Sequence, residues 1–275
     1  MDPRSLLYQA AYLNDKGCAL MENGQQHEAF EVFIQAGESI ATLTRLVEQR
    51  RELEQHHHRT LSLLPSRRRK ERQIMMGITA GSNYNIMKSS DFSFERRCNH
   101  RGATVATSAS TTTDFGVGLT GRPNYICNQT FRFIPRESHV ECCDETAVHY
   151  FKLCQAGITF NSALSFHQRS FGADGSLKGI AQSAASDLYL DAMSLLKDCF
   201  FTPDSCRFLV ATFNNAAILF LEMNSYDKFK VFQTELHRLL VDIQTSFPGV
   251  MEPHHLESFF FNATLLSMPV TAGAA

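Results

Sequence analysis

Apolar residues recur at three- and four-residue steps near the start of the chain. Leu6, Leu7, Ala10, Leu13, Gly17, Leu20 and Met21 mark one face of an amphipathic helix over residues 4–22. Asn23-Gly24 is a turn signal, because glycine reaches φ > 0 without steric cost. Ala29, Phe30, Phe33, Ile34, Ala36, Gly37 and Ile40 open a second helical face, which Leu43, Leu46 and Val47 carry on to about residue 55. Its distal half is charged on most sides and is expected to project into solvent. Small residues at Gly17, Ala29 and Ala36 let two helices approach closely, with Leu13, Leu20 and Phe33 filling the gaps. The pattern predicts a helix hairpin with a short connection.

The same kind of pattern returns after residue 144. Residues 145–170 and 177–200 predict a second helix pair, with Leu188, Leu190, Met193, Leu195 and Leu196 on the buried side of the latter. Thr202-Pro-Asp204 reads as a turn and a helix start, since proline fits the first turn and aspartate can cap it. Helices over 204–223 and 226–246 follow, joined by Met223-Asn-Ser225 and ended by Phe247-Pro-Gly249.

Between the first pair and the rest the period disappears. Residues 56–122 contain His56-His57-His58, the basic run Arg67, Arg68, Arg69, Lys70, Glu71, Arg72 and the Ser/Thr-rich stretch Thr107 to Thr113. Such text buries too little apolar area to offset the entropy of ordering it, so a disordered insert is expected. Over 45–101, thirteen Lys/Arg stand against six Asp/Glu, a local excess of seven positive charges. From Asn124 the pattern changes to alternation: Tyr125, Cys127, Gln129, Phe131 and Phe133 against Ile126, Asn128, Thr130 and Arg132, closed by Pro135. That predicts a strand over 124–134. The aromatic stretch 256–266 is its candidate partner in a small two-stranded β element, the alternative being a last helix that caps the stack.

The spacing within the first hairpin is more specific than amphipathicity alone. With Gly17 as the eighth residue of a 34-residue unit, Leu13, Leu20, Gly24, Ala29, Phe33 and Ala36 fall at its fourth, eleventh, fifteenth, twentieth, twenty-fourth and twenty-seventh positions. The pattern resembles the tetratricopeptide (TPR) repeat. Leu13 stands where Trp is usual, and Ala41 where Pro is usual. Phe160-Asn-Ser-Ala-Leu164 and Phe213-Asn-Asn-Ala-Ala217 are similar to each other and supply two further copies, with Phe160 and Phe213 in the Trp slot. Ala185, Tyr189 and Ala192 keep the second-helix spacing of the second copy, once a Gly-containing loop over Phe171 to Gly179 is allowed for. The third copy is worn, with Phe229 in place of the small residue and Gln233 in place of the aromatic. One clean copy, a long insert and two worn copies is an arrangement similar to that of TPR-like proteins of diatoms.

The resemblance implies an all-α fold: antiparallel helix hairpins in a right-handed superhelical array, with residues 1–55 as the first hairpin and 123–270 holding two more. It also implies a protein-binding groove lined by the first helix of each pair at its fifth, ninth and twelfth positions. These are Asn14, Cys18 and Met21 in the first copy, Asn161, Ser165 and Gln168 in the second, and Asn214, Ile218 and Leu221 in the third. All three copies carry Asn at the fifth position. An amide side chain both donates and accepts, so it can bond a peptide backbone in either sense; equally, it can tie neighbouring helices together. The groove carries no Lys or Arg at these positions, which argues against capture of a terminal carboxylate and for an extended or helical peptide.

Composition narrows the class. The chain has 275 residues, 44% hydrophobic and 20% charged, with a formal net charge of −2, which disfavours bulk attraction to nucleic acid or anionic lipid. No apolar run reaches the ~18 residues of a membrane span. The opening Met-Asp-Pro-Arg-Ser lacks a secretory signal, so a cytoplasmic protein is expected, with a nuclear one as the alternative through Arg67, Arg68, Arg69, Lys70 and Arg72 as an import signal. Eight cysteines without a framework are expected to be reduced thiols. The His triplet, Cys98-x-His100 and Cys142-Cys143 lack the partner spacing of a metal site. There is no Gly-x-Ser-x-Gly, phosphate loop or His-Glu-x-x-His motif. The expectation is a non-enzymatic protein-interaction scaffold or adaptor, without metal or cofactor, that binds a protein or peptide of unknown identity. The alternative is a nuclear regulatory factor acting through its basic insert.

Overall fold

The computed structural model describes residues 2–62, 130–135, 140, 145–197, 203–249, 251 and 253–265. Seven helices appear among them: α1 (Pro3–Glu22), α2 (Gln26–Ser62), α3 (Glu145–Phe171), α4 (Gly175–Lys197), α5 (Pro203–Glu222), α6 (Tyr226–Ser246) and α7 (Pro253–Leu265). They pack in sequence: α1 on α2, α2 on α3, α3 on α4, α4 on α5, α5 on α6, and α7 on α6 and α5. The all-helical expectation is met, with helix ends within a few residues of those read from the periodicity for most helices.

Local chemistry explains the ends. Asp2 caps α1, its carboxylate accepting from the Arg4 N–H, and Pro3 sits at the first turn, where its missing N–H costs nothing. The α1–α2 turn closes with the Gly24 N–H on the Met21 carbonyl and the Gln25 N–H on the Leu20 carbonyl. The α5–α6 turn repeats it: the Asn224 N–H meets the Leu221 carbonyl and the Ser225 N–H the Phe220 carbonyl. The pivot has φ 76° at Gly24 and φ 56° at Asn224, the two residue types that enter the left-handed region most easily. Two hairpins of the array thus share one turn design.

Close approach within the first hairpin follows its small residues. A Cβ on Gly17 would run into the Phe33 ring, so only glycine lets α1 and α2 come together there. One apolar core runs through α1 to α5, from Leu7 and Ile40 to Phe151, Leu164, Tyr189 and Leu219. A second, smaller cluster of Cys206, Val210, Leu236, Leu240, Ile243 and Ala263 holds α5, α6 and α7 together.

Several expectations need correction. Helix α2 runs on to Ser62, so residues 56–62 belong to it and not to an insert; Glu and Arg runs with strong helix propensity sustain it beyond its apolar stripe. Residues 63–122, with Arg67, Arg68, Arg69, Lys70 and Arg72, lie outside the described residues. The extra residues of the second copy do not form a long loop. Only Gly172, Ala173 and Asp174 separate α3 from α4, and the surplus lengthens the helices themselves. Leu190 faces solvent; the buried side of α4 is Ala181, Ala185, Tyr189, Ala192, Met193 and Leu196. Among the described residues there is no strand. Of the stretch 124–134, the described residues 130–134 belong to no helix or strand; their burial alternates as in an extended chain, but they pair with no other strand, and the supposed partner is helix α7. Residues 124–129 lie outside the described residues. Pro253 fits the first turn of a helix, and Phe259, Phe260 and Ala263 follow a helical step. No helix among the described residues is long and apolar enough to cross a membrane.

Candidate functional site

Asn14 on α1 and Asn161 on α3 are fully buried and meet each other: Asn161 Nδ2 donates to Asn14 Oδ1 at 2.9 Å. Two amides at the centre of a helical core would be costly unless their remaining groups were satisfied. The satisfying group is the chain itself. The extended residues 130–135 lie across α1 and α3, and Phe131 sits between the two asparagines. Its N–H donates to Asn161 Oδ1 at 2.8 Å. Its carbonyl accepts from both Asn161 Nδ2 and Asn14 Nδ2, each at 2.8 Å. Asn161 therefore bonds the N–H and the C=O of one residue, as an antiparallel strand neighbour would. The alternation of 130–134 is genuine, but the partner of its backbone is a pair of side chains, not a strand.

Side chains of the segment alternate between two environments. The Phe131 ring presses on Gly157 of α3, where any Cβ would collide with it. It also meets Phe208 of α5 edge-on, with centroids 5.3 Å apart. Phe131 thus touches the first helix of the second and third pairs. Phe133 is buried as well. Between them Arg132 turns outward, with Nη2 2.7 Å from Glu22 Oε1 and Nη1 3.6 Å from Asp15 Oδ1, both on α1. The Ile134 carbonyl accepts from the Tyr150 hydroxyl at 2.7 Å, while the Ile134 side chain is exposed.

Cys18, one turn beyond Asn14, lies under the same carbonyl, its Sγ 3.7 Å from the Phe131 oxygen. Burial pushes its thiol up from 9.0 to about 12, against a lowering contribution from its hydrogen bond to Thr130. It is a neutral packing and hydrogen-bonding group, not a thiolate nucleophile.

The other groove positions have different surroundings. Met21 and Ile218 are buried in the main core, and Leu221 packs partly against it. Ser165 turns its hydroxyl back onto the Ser162 carbonyl at 2.7 Å, and Gln168 is half-buried. Asn214 is fully buried, and its Oδ1 accepts from Asn262 Nδ2 of α7 at 2.8 Å. Of the nine positions, Asn14, Cys18 and Asn161 converge on one segment, and Asn214 engages a helix instead. Gln233 of α6 also serves that helix, with Nε2 2.8 Å from the Ala263 carbonyl.

No protein-family model, curated protein or solved structure matches the chain.

A further polar group lies deeper. His167 is fully buried on α3, with Nδ1 3.3 Å from the Tyr189 hydroxyl of α4 and Nε2 3.3 Å from Glu222 of α5. It ties three helices together at one end of the second pair. Among the described residues no group of three His, Cys, Asp or Glu side chains is placed to hold a metal ion.

The resemblance pointed to Asn14, Cys18 and Asn161. It did not point to Gly157, Phe131, Arg132, Phe133, Tyr150 or Asn262. Gly157 left a trace, a lone glycine inside a helical pattern, which costs about 1 kcal/mol against alanine and implies a packing reason.

Proposed function

We propose that the protein is a non-enzymatic interaction scaffold, with TPR-like helix pairs, that grips an extended peptide backbone on the face made by α1, α3 and α5. The observation that supports this reading is the two-point bond of Asn161 to the N–H and C=O of Phe131. Backbone recognition of that kind accepts many sequences, and pockets for alternate side chains then supply selectivity. The neutral Cys18 thiol and the buried amides suit binding; neither is set up to act as a nucleophile or a general base.

The test is a selection from a displayed library of random extended peptides on the full chain. The target carries Phe131→Ala, which weakens the chain's own segment; Arg132→Glu replaces it if the first variant loses its helices. Each target is compared with the same chain carrying Asn161→Ala. Recovery of peptides that bind the first and are lost from the second supports the grip. Recovery of no peptide that depends on Asn161 contradicts it.

A further inference from the structure

The segment on this face shows what a ligand must offer. Its two phenylalanines point inward, one into the notch that Gly157 leaves and the other into the core. The residue between them is a cation that faces Glu22 and Asp15. One residue further on, a carbonyl receives the Tyr150 hydroxyl. Aromatic, cation, aromatic, with the backbone held at the first aromatic, is a period-two signature. Only an extended chain displays it.

Residues 130–135 are held unlike the rest of the core. They belong to no helix, and their backbone bonds at Phe131 and Ile134 run to the side chains of Asn14, Asn161 and Tyr150. The helix-on-helix packing of α1 with α2, α2 with α3 and α3 with α4 does not pass through them. Residues 130–135 lie between α2 and α3 in sequence and belong to neither helix, so their departure pulls no helix out of register; Val140, beyond them, is buried in the main core.

We infer that residues 130–135 are an internal ligand, and that the scaffold's partner is an extended segment with an aromatic–cation–aromatic sequence that binds by displacing them. The inference rests on the peptide grip proposed above. A tethered segment competes at an effective concentration of order millimolar. The affinity measured for a partner is then reduced by the fraction of chains whose face is open. Whatever loosens the segment raises that affinity. The acidic pair on α1 is a charge filter: a peptide with Glu between its aromatics meets Glu22 and Asp15 and is refused.

The probe is a fluorescein-labelled Thr-Phe-Arg-Phe-Ile-Pro peptide, titrated by anisotropy against the full chain, its Arg132→Glu variant and its Phe131→Ala variant. Arg132→Glu turns two attractions at the surface into repulsions without touching the core. It should bind the probe at least about tenfold more tightly than the unaltered chain does. A probe with alanine in place of both phenylalanines, or Glu in place of Arg, should lose binding to both variants. Equal binding of the probe by the unaltered and Arg132→Glu chains would overturn the inference. So would failure of the probe to bind either variant while both keep their helical circular dichroism. The peptide selection separates this outcome from failure of the grip itself: peptides that depend on Asn161 but lack the aromatic–cation–aromatic sequence remove the inference and leave the grip. If no such peptide is recovered, both fall.

Discussion

Asn14, Asn161 and Asn214, each on the first helix of a pair, meet two different kinds of partner. At Asn14 and Asn161 the partner is a backbone: the N–H and C=O of Phe131 in an extended segment. At Asn214 it is the side-chain amide of Asn262 on helix α7. The residue type is the same. What differs is what lies on top. Over α1 and α3 the cover is a short segment whose Phe131 ring lies against Gly157. Over α5 and α6 the cover is a whole helix, seated on a small apolar cluster of Cys206, Val210 and Leu236. An asparagine in this position marks a polar demand that must be met; the surrounding volume decides whether a strand or a helix meets it.

The largest effect should come from filling the space at Gly157 that the Phe131 ring occupies. Gly157→Val places a branched side chain where the Phe131 ring lies. It should destabilise the chain by about 3 kcal/mol, from overpacking and lost burial of Phe131, read by urea unfolding. Gly157→Ala gives the same comparison a sign. In an unobstructed helix interior the change gains up to about 1 kcal/mol, and at Gly179 of α4, with open space around it, that gain is expected. At Gly157 the methyl group meets Phe131 and the change should destabilise instead. A gain at Gly157 would mean that the ring does not occupy the notch.

Next come the asparagines. Asn161→Ala removes partners of both the N–H and the C=O of Phe131 and should cost about 2–4 kcal/mol. Asn214→Ala interrupts a side-chain pair on the other cluster and should cost about 1–2 kcal/mol. Equal costs would remove the distinction between the two sites. Both substitutions should cost stability, because both side chains are fully buried.

The smallest effect is chemical. With its thiol raised from 9.0 to about 12, Cys18 stays protonated in the folded chain across the interval in which an unfolded cysteine ionises. A folded value above the unfolded one stabilises the fold below pH 9.0, and the contribution fades as pH rises towards about 12. At pH 9.5 iodoacetamide should leave Cys18 unmodified in the native chain and label it in Asn161→Ala, where the covering segment is loosened; peptide mapping reads the difference.

Much of the fold was written in the apolar period. The first hairpin, its Asn23-Gly24 turn and the close approach allowed by Gly17 follow from residue spacing alone, because helix–helix contacts within a hairpin are local in sequence. The repeated asparagines were also legible as a set, since a residue that recurs in similar stretches is visible without any knowledge of packing. The rest depended on long-range placement. The alternation of residues 130–134 is the same whether the backbone partner is another strand or two side chains from helices, one 117 and one 30 residues away. Helix α7 was ambiguous for a related reason, since a short aromatic run fits either state until its neighbours are known. Gly157 left only a weak local sign, because the reason for it is a ring from another part of the chain.

The central claim is that the face formed by α1 and α3 holds an extended backbone through its asparagines. Amide hydrogen exchange at Phe131 tests it most directly, in the full chain and in Asn161→Ala. Strong protection of the Phe131 N–H in the first, lost in the second while α5 and α6 keep theirs, is the predicted result. A Phe131 amide that exchanges in the native chain as fast as in an unfolded peptide would contradict the claim.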